Sequence, residues 1–393
     1  MGREHGLMRM PQIQQVRAEM FASQLRRDQK LSKHCSSCGT RDTVYDFAAD
    51  TAADGVVWAV GRGGKATMEY TDMADSRGHT HRFRIASFDS EVTSVAVTSS
   101  RCAAVTTLDG KFFICKLPVP NNSGWIDWDD FMGGVSAQFV PFETSLWSCV
   151  PNTNGNTDLL VAVGSSDSPR PHMRGHASII TASGHTHFDV SAHHRSGNSL
   201  RCADWLDATV CMLGDNFGRI TLWDTRTDGK SERFHTGRAI LGLRGMGNGS
   251  ELMAAESGAV KLFDVRMMTK DVLTIAKQRP RQLLKPPIST AALYMPMSEA
   301  KMPNAAFDVL PSARLVARRD DENMVGVYSL VNGQRVKSLK TEQSAVVKRL
   351  RFLEDTQGTL GLWGCWGSEV EAWTYGGEDL REGEEGEVWV KGA

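Results

Sequence analysis

No stretch of the 393 residues approaches the ~18 consecutive apolar residues of a membrane-spanning helix. The opening MGREHGLMRM lacks the apolar core of a secretory signal. Residues 1–33 carry seven Arg and Lys, but Glu4, Glu19 and Asp28 among them argue against a mitochondrial presequence, which avoids acids. No charge sign dominates. With 45 basic and 46 acidic residues the net charge is -1, so composition gives no argument for nucleic acid and none against it. The eight cysteines are scattered, and Cys102, Cys115, Cys149, Cys202, Cys211 and Cys365 sit in apolar, strand-like stretches. They read as small buried hydrophobes of a reducing compartment, not as a disulfide framework. The expected location is the nucleus, the cytoplasm or both, with no membrane partner.

Catalytic grammar is missing too. There is no phosphate-cradling G-x-x-x-x-G-K-[ST] loop, no dinucleotide-binding G-x-G-x-x-G between strand and helix, no G-x-S-x-G elbow and no kinase signature. Asp127, Asp129 and Asp130 share one loop, and a tight acidic cluster alone is a solvated turn. The chain is expected to be no enzyme and to carry no cofactor.

What it has instead is glycine, 37 residues of it, and a repeated phrase. Residues 214–226 read GDNFGRITLWDTR, and residues 256–266 read ESGAVKLFDVR. In the first copy a turn precedes alternating residues, with Ile220 and Leu222 on one side, the pattern of a strand with one buried face. The preceding ATVCMLGD is another short strand, so the unit is strand, tight turn, strand. The unit recurs at GKATMEYT (64–71), GKFFICKL (110–117), GHASIITAS (175–183), NMVGVYSL (323–330) and SEVEAWTY (368–375). The residues equivalent to Trp223 are Glu69, Cys115, Ile180, Phe263, Tyr328 and Trp373, with successive spacings of 46, 65, 43, 40, 65 and 45. Seven units at about forty residues, two of them stretched by insertions near 121–150 and 277–303, predict an all-β, seven-bladed β-propeller over 43–375. This pattern resembles that of WD-repeat propellers, although only Trp223-Asp224 keeps the literal dipeptide and Phe263-Asp264 is a near match. Gly78-His79 and Gly184-His185 add to the likeness, because WD repeats commonly place such a pair ahead of the first inner strand. His79, His81, His185 and His187 fall at equivalent points of different blades, so they predict turns and no metal cluster. TVYDF (43–47) and EVWVKG (387–392) are rival candidates for the strand that closes the ring.

Outside the ring, residues 1–42 form an N-terminal extension and 376–393 an acidic tail with six acids against two bases. The extension holds a predicted amphipathic basic helix at 11–31, with Ile13, Val16, Met20 and Leu25 roughly on one face. It either packs on the propeller's own flank or docks into a partner's groove. Cys35 and Cys38 form a single CxxC, half of a zinc site, with no second pair in sequence. The insertion at 277–303, with five prolines and five basic residues, predicts no regular strand pair. It is a disordered loop or an interaction loop. Trp125 and Trp128, in the other insertion, pack on the ring or face a ligand.

The arginines Arg226 and Arg266 end neighbouring units at equivalent points. The run Asp215, Gly218, Ile220, Leu222, Trp223, Asp224, Arg226 resembles the WDxR box of WD-repeat substrate receptors for cullin-4 ubiquitin ligases, and the span from LRCADWLD to FDVR is most similar to the cullin-4-associated factor four subfamily. The second copy departs from the box in having Phe263 for Trp, and Glu256 lies one residue closer to its glycine than Asp215 does. The resemblance implies an adaptor interface for the damaged-DNA-binding protein built from Trp223, Asp224, Arg226, Asp264, Arg266 and the helix residues Ile13, Val16, Met20 and Leu25, with an unidentified protein as substrate. WDxR also occurs in propellers where the arginine only braces a strand, and the alternative role is a scaffold in ribosome assembly or RNA processing.

Overall fold

Each predicted strand–turn–strand unit is the middle of a four-stranded antiparallel sheet, and seven such sheets form a seven-bladed propeller. The computed structural model describes residues 10–27, 43–50, 55–62, 64–72, 81–117, 138–141, 144–155, 158–166, 175–183, 187–227, 231–268, 291–296, 306–321, 324–340, 347–354, 360–367 and 369–375. Blade 1 is Thr43–Asp50, Gly55–Arg62, Lys65–Asp72 and His81–Phe88; blade 2 is Val92–Val97, Cys102–Thr107, Lys111–Lys116 and Gln138–Pro141. Blade 3 is Ser145–Pro151, Leu159–Ser165, Gly175–Ser183 and His187–Ser196; blade 4 is Leu200–Trp205, Val210–Asp215, Arg219–Asp224 and Ser231–His235. Blade 5 is Ile240–Gly245, Glu251–Glu256, Ala259–Asp264 and Leu293–Pro296; blade 6 is Phe307–Leu310, Leu315–Asp321, Met324–Ser329 and Arg335–Lys340. Blade 7 is Val347–Glu354, Leu360–Trp366 and Glu369–Tyr375, completed by Leu25–Arg27 from the other end of the chain.

A single blade has two apolar faces and no way to cover them alone. Around the ring each face meets a neighbour, giving seven apolar clusters, one at every blade junction, including the junction of blades 7 and 1. This corrects the expectation of one buried face per strand. In Arg219–Asp224, Ile220 and Leu222 pack towards blade 5, while Trp223 packs towards blade 3 and Thr221 is buried too. The cysteines Cys102, Cys115, Cys149, Cys202, Cys211 and Cys365 are all buried free thiols in these layers. Burial raises the Cys149 and Cys365 thiols to about 12, so they stay protonated and unreactive.

Ring closure differs from both expected candidates. TVYDF begins the innermost strand of blade 1, and 387–392 lies outside the described residues. The closing strand is Leu25–Arg27, paired antiparallel to Glu369–Tyr375 with Leu25 opposite Tyr375 and Arg27 opposite Trp373. The propeller therefore draws on the segment expected to lie outside it. The helix is correspondingly shorter than predicted, Met10–Gln24, and Leu25 belongs to the strand that follows. The two insertions also contribute more than expected: Gln138–Pro141 and Leu293–Pro296 are the outer strands of blades 2 and 5. Trp125, Trp128, Cys35, Cys38, both Gly-His pairs and the acidic tail lie outside the described residues.

Tight turns inside the blades rest on glycines where the backbone turns left-handed. Gly218, in the turn before Ile220, has φ +83, and a Cβ there would lie 2.6 Å from the Arg238 carbonyl oxygen and 2.8 Å from its nitrogen. Neither obstacle is a flexible side-chain end. Gly218→Ala is expected to destabilise the protein by about 2 kcal/mol, measured as a lower urea midpoint with unchanged slope.

Blade 3 carries a histidine group. His176 Nε2 meets the buried Ser178 Oγ at 2.7 Å, and that hydroxyl meets His193 Nδ1 at 3.0 Å. Burial, then the neighbouring His193, Arg195 and His194, lowers His176 to about 4. Burial, then Arg233, lowers His194, which stacks beside Trp223, to about 4. Between pH ~6.5 and ~4 the unfolded chain takes up protons that the folded one refuses, so stability is complete above this window and falls as the pH drops through it. The expected loss is on the order of 1–2 kcal/mol for the two together after solvent screening. Thermal melts from pH 7 to 4.5 should show this fall, and it should be shallower in His194→Gln.

Candidate functional site

Strand alternation sorts the loops between two ends of the ring. First-to-second and third-to-fourth connections lie at one end, here the lower face; second-to-third turns and the links between blades lie at the other. Asp224 and Asp264 close the third strands of blades 4 and 5, so Arg226 and Arg266 both emerge on the lower face of adjacent blades.

Their geometry is the same in both copies. Asp224 Oδ1 accepts the backbone N–H of Arg226 at 3.0 Å and Arg226 Nε–H at 2.9 Å, while Oδ2 accepts Nη2–H at 2.8 Å. In the second copy the three distances are 3.0, 2.9 and 2.6 Å between Asp264 and Arg266. The Arg226 hydrogen bonds, side chain first, lower Asp224 to about 2, and those of Arg266 lower Asp264 in the same way. Both clasps thus exist throughout the physiological pH range, present above the ordinary carboxylate pKa and lost only as pH falls through the lowered one. The clasp holds each guanidinium still but does not hide it: the side chains of Arg226 and Arg266 remain 67% and 74% exposed. The clasp uses two of the five guanidinium N–H donors and leaves three outside it. Trp223 and Phe263, by contrast, are buried between blades and serve to anchor the turn, not to touch a partner. The chain continues from Arg266 through a short 3-10 turn that leaves Met267 77% exposed.

The helix Met10–Gln24 belongs to the same face. It packs on the first-to-second turn of blade 6 (Pro311–Ala313), on the outer strands of that blade and on the last strand of blade 7. Ala18 and Ala22 are fully buried in the cluster between blades 6 and 7, and Leu25 joins them. Ser329 Oγ donates to Gln15 Oε1 at 2.5 Å, and Lys337 Nζ donates to the carbonyls of Ser23 and Leu25. The predicted helical face is therefore split. Leu25 is buried in the ring and is not available to a partner. Ile13 is half-buried, while Val16 and Met20 lie opposite the packed side at 40% and 57% exposure. The contact with the ring is made through Ala18 and Ala22, whose small side chains allow the closest approach of helix to blade. Between helix and arginines, Arg314 of blade 6 pairs with Glu251 of blade 5 at 2.6 Å, tying the two blades together on this face. Among the described residues no group of three His, Cys, Asp or Glu side chains comes together to hold a metal ion.

The chain is similar in fold to the crystal structure of the Cps50 (Swd1) β-propeller domain of Myceliophteria thermophila, with a TM-score of 0.55 and 14% identity over 84% of this chain and 96% of that one. No protein-family model matches the sequence, and none of the curated proteins matches it. The chain is a seven-bladed β-propeller.

Proposed function

We propose that this propeller is a substrate receptor that docks, through its lower face, on the damaged-DNA-binding adaptor of cullin-4 ubiquitin ligases. One observation carries the reading: two matching Asp–Arg clasps on neighbouring blades, each presenting a fixed and mostly exposed guanidinium at the same end of the ring. A rigid, planar donor fork suits carboxylates and backbone carbonyls of a protein partner. The exposed Met267, Val16 and Met20 supply apolar contact on the same face, along an arc from blade 4 to blade 7. The helix contributes as an anchored edge, because its other side is committed to blades 6 and 7. In this role the protein performs no chemistry; it raises the local concentration of a bound substrate protein beside a ubiquitin-loaded enzyme.

Size-exclusion chromatography with the purified adaptor tests the proposal. Co-elution that Arg226→Ala/Arg266→Ala removes supports it. A well-folded wild type that never co-elutes leaves the clasps as local braces and turns attention to assembly scaffolds.

A further inference from the structure

Carboxylates join the inner strands of neighbouring blades. Asp46 of blade 1 accepts the backbone N–H of Val95 in blade 2 at 2.9 Å. Asp204 of blade 4 accepts that of Gly245 in blade 5 at 2.8 Å, and Asp308 of blade 6 accepts that of Phe352 in blade 7 at 2.7 Å. Each buried carboxylate thus stitches one inner strand to the next. The inner strands of blades 4, 5 and 7 carry Arg201, Arg244, Arg349 and Arg351. A cavity of about 40 Å³ opens between the inner strands of blades 2 to 7, and all four arginines line it with no carboxylate among the lining residues.

We infer that this cavity is a binding site for a phosphate-sized oxyanion, held by Arg201, Arg244, Arg349 and Arg351. Asp46 gives both oxygens to backbone N–H groups, those of Phe47 and Val95, and Asp308 divides its two between Phe352 and Arg244. Arg244 is held by Asp308 at 2.5 Å and Arg349 donates to the Thr93 carbonyl at 2.8 Å. Arg349 and Arg351 reach Asp46 only at 3.5 and 3.6 Å. Arg201 Cζ stands over the Trp147 ring, 4.1 Å from its centroid, a contact that holds a guanidinium without using its donors. Burial lowers Arg351 from its ordinary value, with Arg244 and Arg349 adding to the effect against Asp46 and Asp308. A bound anion relieves that repulsion. The space corresponds to about three waters, the room one tetrahedral oxyanion needs. Ser94 and Ser148 line the same cavity with hydroxyls.

Isothermal titration of the full chain with inorganic phosphate, against chloride at matched ionic strength, tests the site, with O-phosphoserine as a second arm. The expected result is saturable one-to-one phosphate binding and a rise in melting temperature that chloride does not give, with at least 10-fold weaker binding in Arg351→Gln. Phosphate alone binding identifies a free ion as occupant; O-phosphoserine binding equally well identifies a phosphorylated side chain. Should Arg351→Gln fail to fold, Arg201→Gln replaces it, because Arg201, over the Trp147 ring, is the one of the four without an ion pair among the described residues. Absence of saturable binding to the wild type overturns the inference, and so does undiminished binding by a folded variant.

Discussion

Leu25→Asp should abolish a stable ring, and Leu25→Ala should cost about 3 kcal/mol of stability. Leu25 is 1% exposed and sits where three elements meet: the end of the helix, the closing strand and the cluster between blades 6 and 7. Truncation to Ala removes buried apolar contact and leaves a gap that Ala22 and Trp373 cannot fill without moving. A carboxylate there adds the desolvation of a charge inside an apolar cluster. Because Leu25–Arg27 is the outer strand of blade 7, its loss also exposes the edge of Glu369–Tyr375. Urea denaturation with near-UV circular dichroism measures the effect: a midpoint well below wild type for Leu25→Ala, and no cooperative transition for Leu25→Asp. Wild-type stability in both variants would mean that this strand does not close the ring. The same geometry governs any truncation experiment. Removing residues 1–33 deletes the closing strand along with the helix, so lost binding in such a variant would report an opened ring, not a missing contact.

Surface substitutions avoid that confusion, and the second large effect is expected from them. Arg226→Ala/Arg266→Ala should weaken adaptor binding at least about 30-fold, while Val16→Glu/Met20→Glu should weaken it about 10-fold. Neither pair should move the melting temperature by more than a degree or two, because exposed ion pairs contribute little to folding and Val16 and Met20 face solvent. The arginine pair should act more than additively relative to either single change, since both clasps meet the same partner surface. Surface plasmon resonance with immobilised adaptor measures these ratios. Equal affinities for the wild type and Arg226→Ala/Arg266→Ala would remove the clasps from the interface.

The architecture was legible because repetition multiplies a weak signal. One strand pair such as GKATMEYT carries almost no information, yet seven at similar spacing locate every third strand, from Lys65–Asp72 to Glu369–Tyr375. Repeats fail where an element has no counterpart. Leu25–Arg27 is three residues long and paired with a strand about 350 positions away, so no local pattern marks it. The side of the helix that the ring uses is a second such case: Ala18 and Ala22 pack because they are small, and nothing in their size marks them in the sequence, while Val16 and Met20 stay exposed. The clasps were legible from their two-residue spacing, Asp224 to Arg226 and Asp264 to Arg266, and their exposure required coordinates. Asp308 is marked in the sequence, standing alone among the apolar residues of Phe307–Leu310, where a carboxylate must find a partner; Asp46 and Asp204 share their strands with Asp50 and Arg201 and are marked less.

Hydrogen–deuterium exchange of the wild type, with and without the adaptor, tests the central claim most directly. The account predicts slower exchange at 13–22, 224–227 and 264–268 on one face, and no change at the second-to-third turns of blades 2 and 4 on the other. Protection confined to those opposite turns, or none at saturating adaptor, would contradict it.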